Sequence, residues 1–360
     1  MSKKSIFLTL MSLLGVMMLS CTTKPFSQRI TQSPQFHEGQ FQNTKPLESM
    51  GLSKLPGYIK RLLTEKRVDS QPTQTIPVQT LTRKILYQLP DQRTVLFRLG
   101  HSSYLLKISG KFWLIDPVFS EYASPVQFMG PKRFHPTPIS IEELPEIEGV
   151  LISHNHYDHL DKGAIAVLKA KTKHFYVPLG IGETLVEWGV AVEQIVEMDW
   201  WQTHQAGSLE LVSTPAQHFS GRSLTDSNAT LWCSWVMIHG EEKIFYSGDS
   251  GYFDGFRKIG KKFGPFDVSI IETGAYDKDW AEVHMAPEES LQAHIDVKGK
   301  RMLPAHNGTF DLAFHAWYEP LDRIETLANE AGETLITPMV GEAIYLDETQ
   351  TFTRWWSQLK

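Results

Sequence analysis

Only two cysteines occur in 360 residues, so the chain has almost no disulfide chemistry available. One of them, Cys21, closes an apolar leader, and the other, Cys233, then has no intramolecular partner. Cys233 lies in the apolar run Thr230 to Ile238 with no base or helix start beside it, so it reads as a buried core thiol. Long runs of one charge sign are also missing. The 35 basic and 41 acidic residues give a formal charge of −6 that is spread along the chain. Nothing suggests the basic face that would hold phosphate backbones, and nucleic acid is excluded as the expected partner. No internal repeat stands out, and no apolar run is long enough to span a bilayer comfortably.

What is present begins with that leader. Lys3 and Lys4 precede an apolar stretch from Ile6 to Leu19, the proportions of a signal-peptide core. It ends in Met18-Leu19-Ser20-Cys21, which resembles the lipobox of bacterial lipoproteins. Residues 1–21 are therefore expected to be a lipoprotein signal peptide with Cys21 as the lipidated residue. An ordinary signal peptide with an incidental cysteine is the alternative. Either the anchor or the leader places the protein in a bacterial cell envelope, and the anchor favours a periplasm-facing membrane, the outer one first.

Residues 22–90 read as a tether and N-terminal extension. The stretch from 22 to about 50 is rich in Gln, Ser, Thr and Pro, and a short helix is predicted over Leu52 to Arg67. From residue 91 to 360 the pattern is that of one globular domain. Val95–Leu99, Ser103–Ile108, Lys111–Ile115, Gly149–Ser153, His174–Val177, Ser208–Val212, Leu231–Ile238, Lys243–Tyr246 and Val268–Ile271 are short β-rich runs. Helical patterns cover Asp161–Ala170, Gly182–Trp188, Pro287–Ile295 and Ala316–Ala331. Clusters of strands separated by helices suggest an α/β fold, two sheets sandwiched between helices.

Chemistry concentrates in Ser153-His154-Asn155-His156-Tyr157-Asp158-His159, directly after the run at 149–153. Imidazole and carboxylate are the donors that Zn²⁺ prefers, and four of them fall within six positions. His154 and His156 are two residues apart, so an extended backbone points both to one side. Asp158 and His159 follow at the turn and can address a second ion.

The His-x-His-x-Asp-His motif resembles that of the metallo-β-lactamase superfamily. The resemblance implies an αββα sandwich and further donors after later strands: a histidine, a bridging aspartate and a last histidine. His218 in Pro215-Ala-Gln-His218, Asp249 in Ser247-Gly-Asp249-Ser-Gly251 and His306 in Leu303-Pro-Ala-His306 occur in that order. The implied cofactor is two Zn²⁺ or other divalent ions. One would be held by His154, His156 and His218, the other by Asp158, His159 and His306, with Asp249 between them. Two such ions about 3.5–4 Å apart supply a nucleophile from water at neutral pH. Asp116, in Leu114-Ile-Asp116-Pro117, resembles an early aspartate that supports the metal site, and reads equally as a turn residue.

A narrower resemblance covers most of residues 95–345. Ser124 to Phe134, with its Met129-Gly-Pro-Lys-Arg-Phe134 run, and Leu151 to Asp161 are similar to the N-acylphosphatidylethanolamine-hydrolysing phospholipase D family. So are Pro215 to Arg222, Gly248 to Tyr252, and His284-Met-Ala-Pro-Glu-Glu289. This resemblance implies a phosphodiesterase that attacks phosphorus, releases an N-acylethanolamine and phosphatidic acid, and forms a homodimer. His284 is then a catalytic candidate that orients the phosphate or assists the leaving alkoxide; its other reading is a residue near a helix start. Arg222, Lys132 and Arg133 are phosphate partners or surface ion pairs, His315 is a further site candidate, and His101 reads as structural. A phospholipid substrate and a lipid anchor are chemically coherent, because the anchor confines the enzyme to its substrate's surface. Two other functions remain open: a lactonase or other acyl hydrolase on the same site, and a non-catalytic metal-binding surface lipoprotein. A purely structural zinc site is closed by four donors, whereas seven donors for two ions leave positions open.

Overall fold

The computed structural model describes residues 26–47, 57, 60, 61 and 64–360. The expected leader, Cys21 and most of the helix predicted over 52–67 lie outside the described residues. A first helix, α1 (Ser27–Gln32), leads into a hairpin of β1 (Phe36–His37) and β2 (Gln40–Phe41), and α2 (Arg83–Gln88) follows. Two larger sheets make up the body. One has seven strands in the order β15-β3-β4-β5-β6-β7-β8: β3 (Val95–Gly100), β4 (Ser103–Ile108), β5 (Lys111–Ile115), β6 (Ile147–Leu151), β7 (Thr172–Pro178), β8 (Ile195–Met198) and β15 (Ala343–Tyr345). The other runs β14-β13-β12-β11-β10-β9: β9 (Thr203–Ala206), β10 (Leu209–Thr214), β11 (Ser234–His239), β12 (Glu242–Tyr246), β13 (Val268–Glu272) and β14 (Met302–Ala305).

Side-chain alternation along the strands builds the layers. In β12, Ile244 and Tyr246 enter the core between the sheets, while Phe245 points to the opposite face. In β3, Leu96 joins that same central core and Val95, Phe97 and Leu99 face outward. The outer face of the first sheet is covered by α3 (Lys162–Leu168) and α4 (Ile181–Glu187) through Ala164, Ile165, Leu168, Ile181 and Leu185. The outer face of the second is covered by α5 (Gly255–Phe263), α6 (Pro287–Val297) and α7 (Glu319–Ala331) through Phe256, Ile259, Leu291, Ala293, Val297, Ile324 and Ala328. This is the expected αββα sandwich. Strands buried on both faces read as continuous apolar runs, which is why they stand out in the sequence.

Elements that did not stand out have physical reasons. β9 and β15 are short, partly exposed edge strands, and β14 carries Pro304, which is tolerated at a sheet edge. Helix α5 contains two glycines in nine residues. A Cβ on Gly260 would lie 2.1 Å from the Asp296 carbonyl oxygen, so the glycine permits α5 to pack closely on α6. The run predicted as one strand from Leu231 begins at Ser234. The Leu231 and Cys233 amides instead donate to the carbonyls of Leu179 and Ser153 in the neighbouring sheet's loops.

The described part of the expected tether is packed on the body. Phe26 and Phe41 are buried in the cores, and the Phe36 and Phe41 rings meet at 5.0 Å. Two phenylalanines with apolar neighbours outweigh the polar composition around them. Cys233 is a free, buried thiol in the central core. No helix among the described residues is long and apolar enough to cross a membrane.

Candidate metal centre and active site

Strand direction gathers the donors. β5 and β6 are parallel, so Asp116 and the 154–159 loop emerge at one end of the first sheet. β12, β13 and β14 are parallel as well, and β10 runs the same way through its antiparallel neighbour β11. The segments carrying His218, Asp249, Glu272 and His306 thus leave the second sheet at a common edge. Gly274 lets two of them approach closely: a Cβ there would lie 2.1 Å from the His306 carbonyl oxygen.

His154, His156 and His218 come together as one metal-capable group, their donor atoms within 4.8 Å of one another. His154 Nε2 is 2.9 Å and His218 Nε2 is 3.2 Å from His156 Nδ1. Asp158, His159 and His306 form a second group, which also includes His101. Asp158 Oδ2 lies 2.9 Å from His101 Nε2, 3.2 Å from His306 Nε2 and 3.6 Å from His159 Nε2. Asp249 lies between the groups. Its Oδ2 is 2.9 Å from His306 Nε2, 3.1 Å from His159, 3.7 Å from His154 and 3.9 Å from His218.

The surrounding hydrogen bonds fix which ring nitrogens face inward. His218 Nδ1–H donates to the Val283 carbonyl at 3.0 Å, leaving Nε2 for the cluster. Asp116, fully buried at a positive φ of 39°, lies beneath His159. It accepts from His159 Nδ1 at 2.8 Å, Tyr246 OH at 2.6 Å, and Ser153 N and Oγ at 2.7 and 2.5 Å. Four donors on one carboxylate far exceed what a turn requires. Asn43, from the N-terminal segment, holds the His218 backbone from both sides. Its Oδ1 accepts from His218 N at 3.1 Å and its Nδ2 donates to His218 O at 2.7 Å.

The electrostatics favour bound cations. Burial first, then neighbouring imidazoles, hold His154 and His218 well below the usual histidine range; burial likewise brings His156 down to about 4. The lowered basicity favours the neutral ring that a metal donor must be. Burial opposes charge on His306, yet Asp249 and Asp158 push it up to about 10. The carboxylates therefore call for positive charge in a dry site. Asp249 Oδ1 is buried with no hydrogen-bond partner at all. A divalent cation satisfies such an orphaned oxygen, so the residues fit metal.

His284 lies against the cluster, its ring centroid 5.1 Å from His218 and 5.3 Å from His306. Its Nδ1 makes a short hydrogen bond to Glu272, which is fully buried and whose carboxyl burial pushes up. Sequence reasoning passed over Glu272; the visible signal was a carboxylate ending the apolar run Val268-Ser-Ile-Ile-Glu272. His101, which reads as structural from sequence alone, stands beside Asp158 in the second group.

Arg222 donates from Nη1 to the Asn155 and Leu160 carbonyls, each at 2.7 Å, and stacks 3.9 Å over Tyr157. It thereby braces the donor loop while lining a cavity of about 620 Å³ together with Tyr122, Gln127, Tyr157, Leu160 and Trp188. Lys132 is exposed and paired with Glu121 at 2.8 Å, and Arg133 donates inward to Val118 O at 2.6 Å. His315 shares the lining of a small internal cavity with His306, stacks 4.4 Å from Tyr276, and belongs to no metal-capable group among the described residues.

This fold and this cluster define a metal-dependent hydrolase. The beta-lactamase superfamily domain matches residues 113–307, and the chain belongs to that superfamily. An uncharacterised Mycobacterium tuberculosis protein is 39% identical over 90% of this chain and 88% of its own. N-acyl-phosphatidylethanolamine-hydrolyzing phospholipase D 1 of Caenorhabditis elegans is 31% identical over 86% of this chain and 93% of its own. Among solved structures, the metallo-beta-lactamase fold protein YhfI from Bacillus subtilis superposes with a TM-score of 0.51 at 15% identity, over 70% of this chain and 99% of its own.

Proposed function

We propose that the protein is a zinc-dependent phosphodiesterase that cleaves N-acylphosphatidylethanolamine-type phospholipids to an N-acylethanolamine and phosphatidic acid. The observation that carries this reading is the cavity beside the donor loop. It is lined by Tyr122, Tyr157, Leu160 and Trp188, and its Gln127 wall continues into Phe128 and Met129, which are 77% and 65% exposed. Large apolar side chains left in solvent beside a catalytic edge suit a substrate that lies in a lipid surface. The name of the Caenorhabditis elegans relative points to the same substrate class.

Two Zn²⁺ are proposed at the two groups, with Asp249 shared, since histidine and carboxylate donors suit that ion. Bound there, divalent ions would supply Lewis acidity and activate water at neutral pH. The chain's own residues do the rest. Asp116 and the Val283 carbonyl hold His159 and His218 in register, and Arg222 holds the loop that carries His154 to His159. His284, its Nδ1 held on Glu272, acts as the proton donor to the leaving oxygen from Nε2. A water oxygen bonds to phosphorus and its proton passes to solvent as the P–O bond to the leaving group breaks. That bond's electron pair passes to the leaving oxygen, which takes the Nε2 proton and leaves neutral imidazole for solvent to reprotonate. The lipid anchor at Cys21 and the homodimer belong to the same proposal, the anchor keeping the enzyme on its substrate's membrane.

The test is to assay the zinc-loaded full chain against phosphodiesters, N-acylphosphatidylethanolamine among them, beside a panel of lactones. Preferential release of N-acylethanolamine supports the proposal. Hydrolysis of lactones with inert phosphodiesters overturns it in favour of an acyl hydrolase.

A further inference from the structure

Glu272 ends β13 against the cluster with no exposed side-chain surface. Both of its oxygens are committed. Oε2 accepts from the Ser250 amide at 2.6 Å, one residue beyond Asp249, and Oε1 meets His284 Nδ1 in a short hydrogen bond. The strand end is itself pinned, because Glu272 N donates to Ser247 Oγ at 2.9 Å and Glu272 O accepts from Ser290 Oγ at 2.7 Å. The carboxylate is therefore fixed in orientation at both its backbone and its tip. His284 differs: 15% of its side chain stays open, and its donor atom falls within 4.8 Å of those of Asp249, Glu272 and His306. With Nδ1 engaged by an anionic acceptor, Nε2 is the ring nitrogen left for the site.

We infer that Glu272 is a positioning residue that holds the His284 ring with Nδ1–H turned inward and Nε2 toward the metal-capable cluster. Its effect on turnover passes through His284 and rests on the proposed phosphodiesterase reading; the ring orientation does not. Glu272 touches neither substrate nor leaving group. A carboxylate behind an imidazole sets tautomer and aim, the arrangement that commonly supports histidines in metal sites.

The experiment compares Glu272→Ala, Glu272→Gln, Glu272→Asp, His284→Ala and the Glu272→Ala/His284→Ala double variant in the zinc-loaded full chain. Metal content, turnover of an alkyl and a nitrophenyl phosphodiester, and the ¹⁵N spectrum of labelled histidines are measured. Glu272→Ala and Glu272→Gln are expected to keep their zinc. Glu272→Ala should lose about 10–100-fold on the alkyl substrate, the usual reach of an outer partner, and only a few-fold on the nitrophenyl one. The double variant should be no slower than His284→Ala alone, because the two residues act as one unit. Glu272→Asp should recover part of the loss, and the His284 resonances should leave the Nδ1–H pattern in Glu272→Ala. Multiplying losses in the double variant, or an unchanged His284 spectrum, overturns the inference. Loss of zinc in Glu272→Gln does so too, by making Glu272 a metal donor. If the parent protein hydrolyses no phosphodiester, the proposed function fails, and the histidine spectrum alone decides on Glu272.

Discussion

Asp116 Oδ2 accepts from His159 Nδ1 at 2.8 Å and from Tyr246 OH at 2.6 Å, so one buried oxygen connects the two sheets beneath the cluster. Asp116→Ala removes the acceptor that keeps His159 Nε2 facing Asp249. Metal affinity or turnover should fall about 10–100-fold. Titration with a competing chelator measures the first and steady-state rates the second; unchanged values for both would reduce Asp116 to a turn residue.

Removal of metal should be decisive for activity. About two equivalents of divalent ion per chain are expected, with hydrolysis abolished by chelation and restored by adding Zn²⁺. Asp249→Asn takes a charge from between the two groups and should lower both metal content and turnover. Elemental analysis beside the assay checks this, and a fully active chelated sample would remove metal from the mechanism.

Phe128 and Met129 should matter only where substrate is presented in a membrane. Replacing both with Ser is expected to weaken turnover of vesicle-borne lipid several-fold. A short-chain, monomeric phosphodiester should be cleaved at the parent rate. Equal losses on both substrates would mean that the loop shapes the site instead of meeting the lipid surface.

Glu197 gives a pH-dependent prediction away from the site. Burial pushes its carboxyl up to about 7, against which the Gly180 and Gly182 amides donate at 2.8 and 2.9 Å. The folded-state value lies above the unfolded one, so ionisation costs the folded state. Stability contributed by the neutral acid is complete below about pH 4.5 and lost as pH rises to about 7. Glu197→Gln keeps an acceptor for the amides and cannot ionise. Its Tm should exceed the parent's at pH 8 by a few degrees and match it near pH 4.5, measured by calorimetry.

Much of this arrangement could be read from the chain itself. Strands β3 to β5 and β12 announce themselves because both faces are buried, and the donor motif lies where β6 ends. His218, Asp249 and His306 are each unremarkable alone; the superfamily resemblance, which implies donors after later strands, is what singles them out. What resisted reading depends on distant partners. Glu272 and His284 are separated by twelve residues and a change of element. His101 reaches Asp158 across 57 positions. Polar composition concealed the packing of residues 26–43, since a few aromatic side chains decide it. The edge strands were too short and too exposed to show a period.

Asn43 lies 70 residues before the segment that the superfamily match begins with, yet it grips the backbone of His218 within that segment. The recognisable family segment and the working unit are therefore different lengths of polypeptide. A protein trimmed to 113–307 would carry His218 on a backbone that has lost its clasp, and would lack His101 altogether. Through one amide side chain, Asn43 joins the described N-terminal residues to the backbone of a donor histidine, so these residues help to hold the site in place.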